Sequence, residues 1–295
     1  IIHGVHILPF VHVGIAQKLI YLAAERLAAN FTRAFIDVSQ AMRDICIANH
    51  LGSPDQHHVV HSGFDLARFA NAQWPQVPHL LLGTAIGEQK PPVVLMLAAL
   101  EPRKRHVEFI EAFGQVVDRI PNVRLILAGE GPARSAVEAA IERSPFANRI
   151  RMIGYHGEPE RLISLADVCV LTSMREGLPR VMMQYLAGGR ASVVSHLPGV
   201  EEVVKHGVNG IVTPAEDVGA AAAAVAAPGD PCEAGSTFGV GPPVGAPEGG
   251  TPVSPEGAAL APPEAPALVS PGGAALVSPD GAALAAALRD PASAA

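Results

Sequence analysis

Four short segments of this 295-residue chain carry residue types that can do chemistry. Glu101-Pro102-Arg103-Lys104-Arg105 puts three cations where a helix is expected to begin, and the free N–H groups of a helix start already favour an anion. Gly129-Glu130-Gly131-Pro132 lets main chain approach a ligand closely and then opens a helix with proline. Thr172-Ser173-Met174-Arg175-Glu176-Gly177-Leu178-Pro179 is a polar turn with the same proline ending, and Leu197-Pro198-Gly199-Val200-Glu201-Glu202 follows it. Each alone is an ordinary turn, and the basic triplet alone is a solvated face. Their joint occurrence points to one shared ligand. His57, His58 and His61 are metal-ligand types, but on a strand His57 and His61 share a face while His58 points away, so no metal site is expected.

The spacing of these segments follows from apolar runs at 93–99, 123–128, 150–153, 168–171, 192–195 and 210–212, with helical patterns between them. Runs that are apolar on both faces belong to a parallel sheet covered by helices on each side. Such a doubly wound α/β sheet places ligands at the carboxyl ends of its strands, where the four segments fall. Upstream, 34–38 and 58–61 read as two further strands. Met182 and Met183, on a helix expected at 178–188, read as core packing.

Gly 29 and Pro 27 make up about 19 per cent of the chain, against roughly 12 per cent in average usage. The excess has an address: residues 228–295 hold 13 prolines and 11 glycines, and the unit VSPxGAAL recurs at 253–260, 269–276 and 277–284. Little bulky apolar surface is available there to offset ordering entropy, so this stretch is expected to be a disordered low-complexity tail. It also holds seven acids and one base, which leaves 21 acids against 20 bases in residues 1–227, so most of the net charge of −7 belongs to the tail. Neither part offers the basic face that nucleic acid needs. Cys46, Cys169 and Cys232 are odd in number and far apart, which argues for a reducing compartment and against a disulfide framework.

The residues resemble the retaining glycosyltransferases of group 1 (family 4), whose GT-B fold sets two Rossmann-like domains face to face. The likeness runs from about residue 1 to 227. It is most specific at Ser173-x-x-Glu176-Gly177-Leu178-Pro179, followed by Gly188-Gly189-Arg190 and Pro198-Gly199-x-x-Glu202. His61-Ser62-Gly63-Phe64-Asp65 is similar to the family's N-G-V-D turn, and His3-Gly4-Val5-His6-x-x-Pro9-Phe10 to the end of its first domain. The resemblance implies a remnant of the first domain at 1–76, a linker at 77–91, a complete nucleotide-sugar donor domain at 92–227 and the tail beyond. It further implies transfer of a sugar from a nucleotide-diphosphate sugar, expected to be a UDP-sugar, to an acceptor hydroxyl with retention. No cofactor and no metal are implied. His6 and Glu176 take the catalytic positions, Arg103 and Lys104 hold the diphosphate, and Gly129, Glu130, Gly131, Gly177, Leu178, Pro179 and Gln184 hold sugar and nucleoside. The acceptor is a saccharide or lipid-linked saccharide in polysaccharide or glycolipid assembly. The resemblance implies a cytoplasmic setting with peripheral association at the inner face of the membrane, although no strongly basic amphipathic helix is read in the sequence.

Three departures accompany the likeness. The family pairs two glutamates seven residues apart, and here the second is Gln184. Eight helical steps would separate positions 176 and 184 by roughly 12 Å. That exceeds the roughly 5 to 9.5 Å of a paired acid and base at a glycosidic bond, so the two are expected to grip different parts of one ligand. Glutamine loses a charge-assisted acceptor, about 1 kcal/mol of donor binding. Ala98-Ala99-Leu100 stands where the family often has Gly-Arg-Leu, leaving Arg103 or Arg105 to substitute. The opening at Ile1, without methionine or basic leader, leads to the expectation of an N-terminally truncated first domain that lacks the family's glycine-rich loop and acceptor pocket. A non-catalytic nucleotide-sugar-binding remnant is therefore the alternative reading.

Overall fold

The computed structural model describes residues 1–11, 13–75, 78–85 and 87–227. The tail expected at 228–295, its repeats, and part of the 77–91 linker lie outside the described residues.

Short strands separated by amphipathic helices produce two parallel sheets. The first has the order β1 (Ile2–Val5), β2 (Ala34–Asp37), β3 (His57–Val59). α1 (Ile15–Ala29) connects β1 to β2, and α2 (Gln40–Ala48) follows β2. Ser39 caps α2 by accepting the N–H of Met42 at 3.2 Å, satisfying one of the donors a helix start leaves free. α3 (Leu66–Ala70), capped by Asp65, and α4 (Pro78–Leu82) lead away from this sheet. The strand expected at 58–61 begins a residue earlier and stops at Val59. The imidazole of His57 is buried, with Nδ1 2.8 Å from Asp37 and Nε2 2.6 Å from the carbonyl of Leu51, which fixes His57 inside the strand. His61 therefore sits in the loop beyond, and the three histidines diverge.

The second sheet contains all six expected runs: β4 (Val93–Leu97), β5 (Arg124–Ala128), β6 (Ile150–Gly154), β7 (Val168–Leu171), β8 (Ala191–Ser195) and β9 (Ile211–Thr213). Their order is β6-β5-β4-β7-β8-β9, all parallel. α5 (His106–Ala112), α6 (Gly114–Arg119), α7 (Arg134–Arg143) and α11 (Val218–Val225) bury one face around Phe109, Phe113, Val116 and Leu125. α8 (Pro159–Leu165) and α9 (Arg180–Ala187) pack against the strands from the other face, and α10 (Val200–Val203) follows β8. The helix expected at 178–188 is α9, shorter by two residues at the start and one at the end; Met182 is fully buried and Met183 packs at the margin of the core. Both faces of the sheet are covered, as the apolar runs require.

The chain runs outward from β4 to β6, returns, and then runs outward the other way from β7 to β9. The sheet thus reverses its winding between β4 and β7. Pairing across that junction is brief, involving Val94 with Val168 and Leu95 with Cys169. One step on, the two strands part. The hydroxyl of the fully buried Tyr185 takes the place of the missing partner, accepting the N–H of Leu97 at 2.9 Å and lying 3.4 Å from its carbonyl. Burial pushes the Tyr185 phenol well above its ordinary pKa, so it remains a neutral donor and acceptor there. Tyr185→Phe should leave the Leu97 N–H without an acceptor and lower the unfolding free energy by about 1–2 kcal/mol in urea denaturation, with an unchanged m-value.

Candidate functional site

At a winding reversal, the loops leaving the two central strands turn to opposite sides and leave a crevice between them. Here those loops are 98–105 after β4 and 172–179 after β7. They are zipped together at their base: Met174 N–H donates to the carbonyl of Arg103 at 2.8 Å, and the Thr172 hydroxyl donates to that of Lys104 at 2.9 Å. Arg103, Lys104 and Glu176 are thereby brought to one place. Glu176 Oε1 accepts from Arg103 Nη1 at 2.6 Å and forms an ion pair with Lys104 Nζ. Arg103 Nε is 2.6 Å from Glu101, and Arg103 Nη1 also reaches the carbonyl of Arg175 at 3.0 Å. Two cations and two carboxylates form a compensated, half-buried cluster.

The three cations do not sit on a regular helix start, which corrects the local expectation. Pro102–Lys104 is a single 3-10 turn, Arg105 adopts the left-handed conformation at φ 61°, and α5 begins only at His106. Arg105 makes no ion pair with Glu176 and instead donates to the carbonyl of Ala215, just beyond β9, at 2.7 Å. Four of the eight buried polar atoms without partners among the described residues lie in or next to these loops: both ring nitrogens of His106, Ser173 Oγ and Arg175 Nε. Such atoms are uncommon in folded chains and collect where a site keeps hydrogen-bonding capacity in reserve.

The first sheet closes one side of the crevice. A Cβ on Gly177 would collide with the carbonyl of His6 and crowd Val38, so this glycine is required for the β7 loop to lie against the end of β1. His6 is exposed at that seam, and Arg175 Nη1 is 3.5 Å from the carbonyl of Pro9. The Leu178 side chain is buried in an apolar cluster shared by both sheets, which leaves its main chain for ligand contact. Pro179 caps α9 and is buried; Gln184 is half-buried one turn into that helix. Helix fills only Arg180 to Gln184 of the interval from Glu176, so the helical spacing applies to just half of it. A second junction lies at the β8 loop: Glu202 accepts the N–H groups of Gln40 at 3.1 Å and Ala41 at 2.9 Å at the start of α2, with His61 Nε2 3.5 Å away.

Gly129 and Gly131 lie at the edge of the crevice, and their missing side chains are used by protein. A Cβ on either would strike the carbonyl of Ala98 or Leu100 in the neighbouring loop. The Glu130 carboxylate is held by Arg134 at 2.8 and 2.9 Å. α7 begins at Arg134, two residues after Pro132, and not at the proline.

Residues 85–227 match the family described as Glycosyl transferases group 1. That segment, just under half of the chain, is what resembles the group 1 glycosyltransferases. It is 25% identical over 205 residues to the Escherichia coli UDP-Gal:alpha-D-GlcNAc-diphosphoundecaprenol alpha-1,3-galactosyltransferase, a match covering 68% of this chain and 52% of that protein. It is 30% identical over 125 residues to alpha-D-kanosaminyltransferase of Streptomyces kanamyceticus, covering 42% and 32%. Among solved structures, Anabaena Alr3699/HepE in complex with UDP and glucose superposes with a TM-score of 0.61 at 26% identity over 70% of this chain and 56% of that one. The chain thus spans about a third to a half of the length of these curated relatives. The GT-B expectation is met by such neighbours and by the parallel α/β architecture. No helix among the described residues is long and apolar enough to cross a membrane.

Sequence reasoning missed Glu101, Ser173, Arg175 and His106 as participants. The first three were visible in the loop sequences, but their roles depend on which loops meet. His106 carried no signal beyond its place beside the cations. Burial, aided by the Lys104 charge, pushes its pKa down to about 4 from 6.5. The unfolded chain takes up this proton below about pH 6.5 and the folded chain only near pH 4. Stability from this group is therefore full above 6.5 and lost as pH falls towards 4, by an amount on the order of 1–3 kcal/mol. Urea midpoints at pH 7 and pH 4.5 should differ by less in His106→Leu than in the parent.

Proposed function

We propose that this chain carries the donor-binding part of a retaining glycosyltransferase that passes a sugar from a nucleotide-diphosphate sugar, a UDP-sugar by preference, to an acceptor hydroxyl. The observation that carries the reading is the convergence of Arg103, Lys104 and Glu176 across the winding reversal, with His6 at the facing seam. A departing diphosphate needs fixed positive charge, and a transferring sugar needs hydrogen bonds that hold its hydroxyls in place. Lys104 and Arg103 supply the first. Glu176 and the N–H groups of Gly177 and Leu178, which find no acceptor among the described residues, supply the second. Gln184 and Pro179 at the start of α9 line the ribose side, and the 129–131 loop borders the nucleoside with its main chain. Position His6 lies beside the sugar. The nucleotide-sugar is a substrate, and the reaction needs no cofactor.

The UDP preference is supported by the Anabaena neighbour, solved with UDP and glucose, and by the E. coli relative, whose name specifies UDP-Gal. That relative's name also specifies a diphosphoundecaprenol-linked acceptor, which supports a saccharide or lipid-linked saccharide acceptor and a role in polysaccharide or glycolipid assembly. Titration with UDP and UDP-sugars, followed by an assay of UDP release in the same samples, tests the reading. Lys104→Ala should weaken UDP binding at least tenfold, a loss of about 1.4 kcal/mol. Saturable binding with no turnover in the full-length protein would assign the site a binding role without catalysis, and unchanged binding by Lys104→Ala would place the diphosphate elsewhere.

A further inference from the structure

Glu176 is in direct competition with the ligand proposed for its neighbours. Its Oε1 is shared between Lys104 Nζ and Arg103 Nη1, and its side chain is only 15% exposed, so these contacts are weakly screened. Arg103 is further compensated by Glu101. Two positive and two negative charges cancel, and a diphosphate entering between Arg103 and Lys104 must first take them from Glu176. The zipped bases of the two loops hold the main chain of Lys104 and Met174 in place. The exchange therefore falls to the side chain of Glu176.

That exchange treats two ligands differently. Free UDP carries more negative charge on its diphosphate than a UDP-sugar does, because its terminal phosphate is unesterified. A bare cation pair would for that reason hold the product of transfer more tightly than the donor. With Glu176 present, both ligands must displace the same carboxylate. Only the donor then offers the displaced carboxylate a new set of donors, the sugar hydroxyls, whereas UDP leaves it partly buried and unpaired, at a cost in affinity.

We propose that Glu176 is the residue by which this site discriminates a sugar-bearing nucleotide from the free nucleoside diphosphate, by occupying the diphosphate cations until a sugar is present to receive it. The inference rests on the assignment of Arg103 and Lys104 to the diphosphate, and its test separates the two. Calorimetric titrations of the parent, Glu176→Gln, Glu176→Ala and Lys104→Ala with UDP and with UDP-glucose read the affinities directly, and thermal melting confirms that each variant is folded. Glu176→Gln removes the charge and keeps the shape. It should bind UDP roughly tenfold more tightly than the parent while UDP-glucose affinity changes by less than about threefold. Glu176→Ala should tighten UDP in the same direction. If both variants bind UDP no more tightly than the parent, the inference is overturned, while loss of UDP binding in Lys104→Ala leaves the site assignment standing. If the parent binds neither ligand, or Lys104→Ala binds both as the parent does, the site assignment itself fails and the discrimination falls with it.

Discussion

One apolar cluster, shared by the two sheets, determines where the chemistry can sit. Val5, Leu8, Phe10, Phe35, Val38 and Met42 from the first sheet are buried with Leu171, Leu178, Met182, Val194, Leu197 and Val200 from the second. Leu171 ends β7 and Leu178 closes its loop, so the segment that carries Glu176 is anchored at both ends in the same cluster. Each such side chain contributes roughly 1.5–3 kcal/mol on burial, whereas a partly buried ion pair gains Coulomb energy that is largely offset by the cost of desolvating its charges. Apolar burial therefore sets the position of the loop, and the charges of Arg103 and Lys104 set only the direction of the carboxylate. Gly177 follows from the same constraint: two backbones pressed together by this cluster leave no volume for a side chain between them.

The cluster holds the loops close, and closeness has electrostatic consequences. Lys104 is nearly buried, and an unpaired ammonium at that depth would be strongly unfavourable. Glu176 resolves this from the facing loop. His106, two residues on, resolves its own burial by remaining neutral near pH 7. Arg105 is excluded from the crowded space and adopts a left-handed backbone, at a cost of about 1–2 kcal/mol, while its guanidinium donates to the carbonyl of Ala215. A basic triplet that looks uniform in sequence thus divides into one cation bridging two carboxylates, one nearly buried against Glu176, and one held by the carbonyl of Ala215.

Strand positions were legible because they depend on local composition: six apolar runs became β4 to β9 with ends displaced by at most two residues, while β3 begins a residue early because His57 finds buried partners. The crevice was legible only as a set of loops. Its location at β4 and β7 requires the strand order, which arises from pairings between residues such as Leu95 and Cys169, 74 positions apart. The meaning of the glycines was read least well. Gly129 and Gly131 suggested close approach to a ligand, and the neighbour that approaches is the carbonyl of Ala98 or Leu100. A glycine signals that something comes near, and the sequence does not say whether that neighbour is a ligand or the chain itself.

The same separation of fold from chemistry explains how position 184 can depart from the family pattern. On α9, Met182 and Tyr185 are three residues apart on the buried face, and Tyr185 completes the ladder where β4 and β7 part. Gln184 lies beside them, half-buried, with no side-chain hydrogen bond among the described residues. Neither sheet depends on a charge at that position. The fold can therefore tolerate exchange of a carboxylate for an amide at 184 at little cost in stability, while any donor gripped there loses a charge-assisted contact. At 176 the same exchange would release Lys104 and Arg103 from their shared partner. The residue at 176 is thus tied to the protein's own cations as well as to a ligand, whereas the residue at 184 is free to answer to the ligand alone.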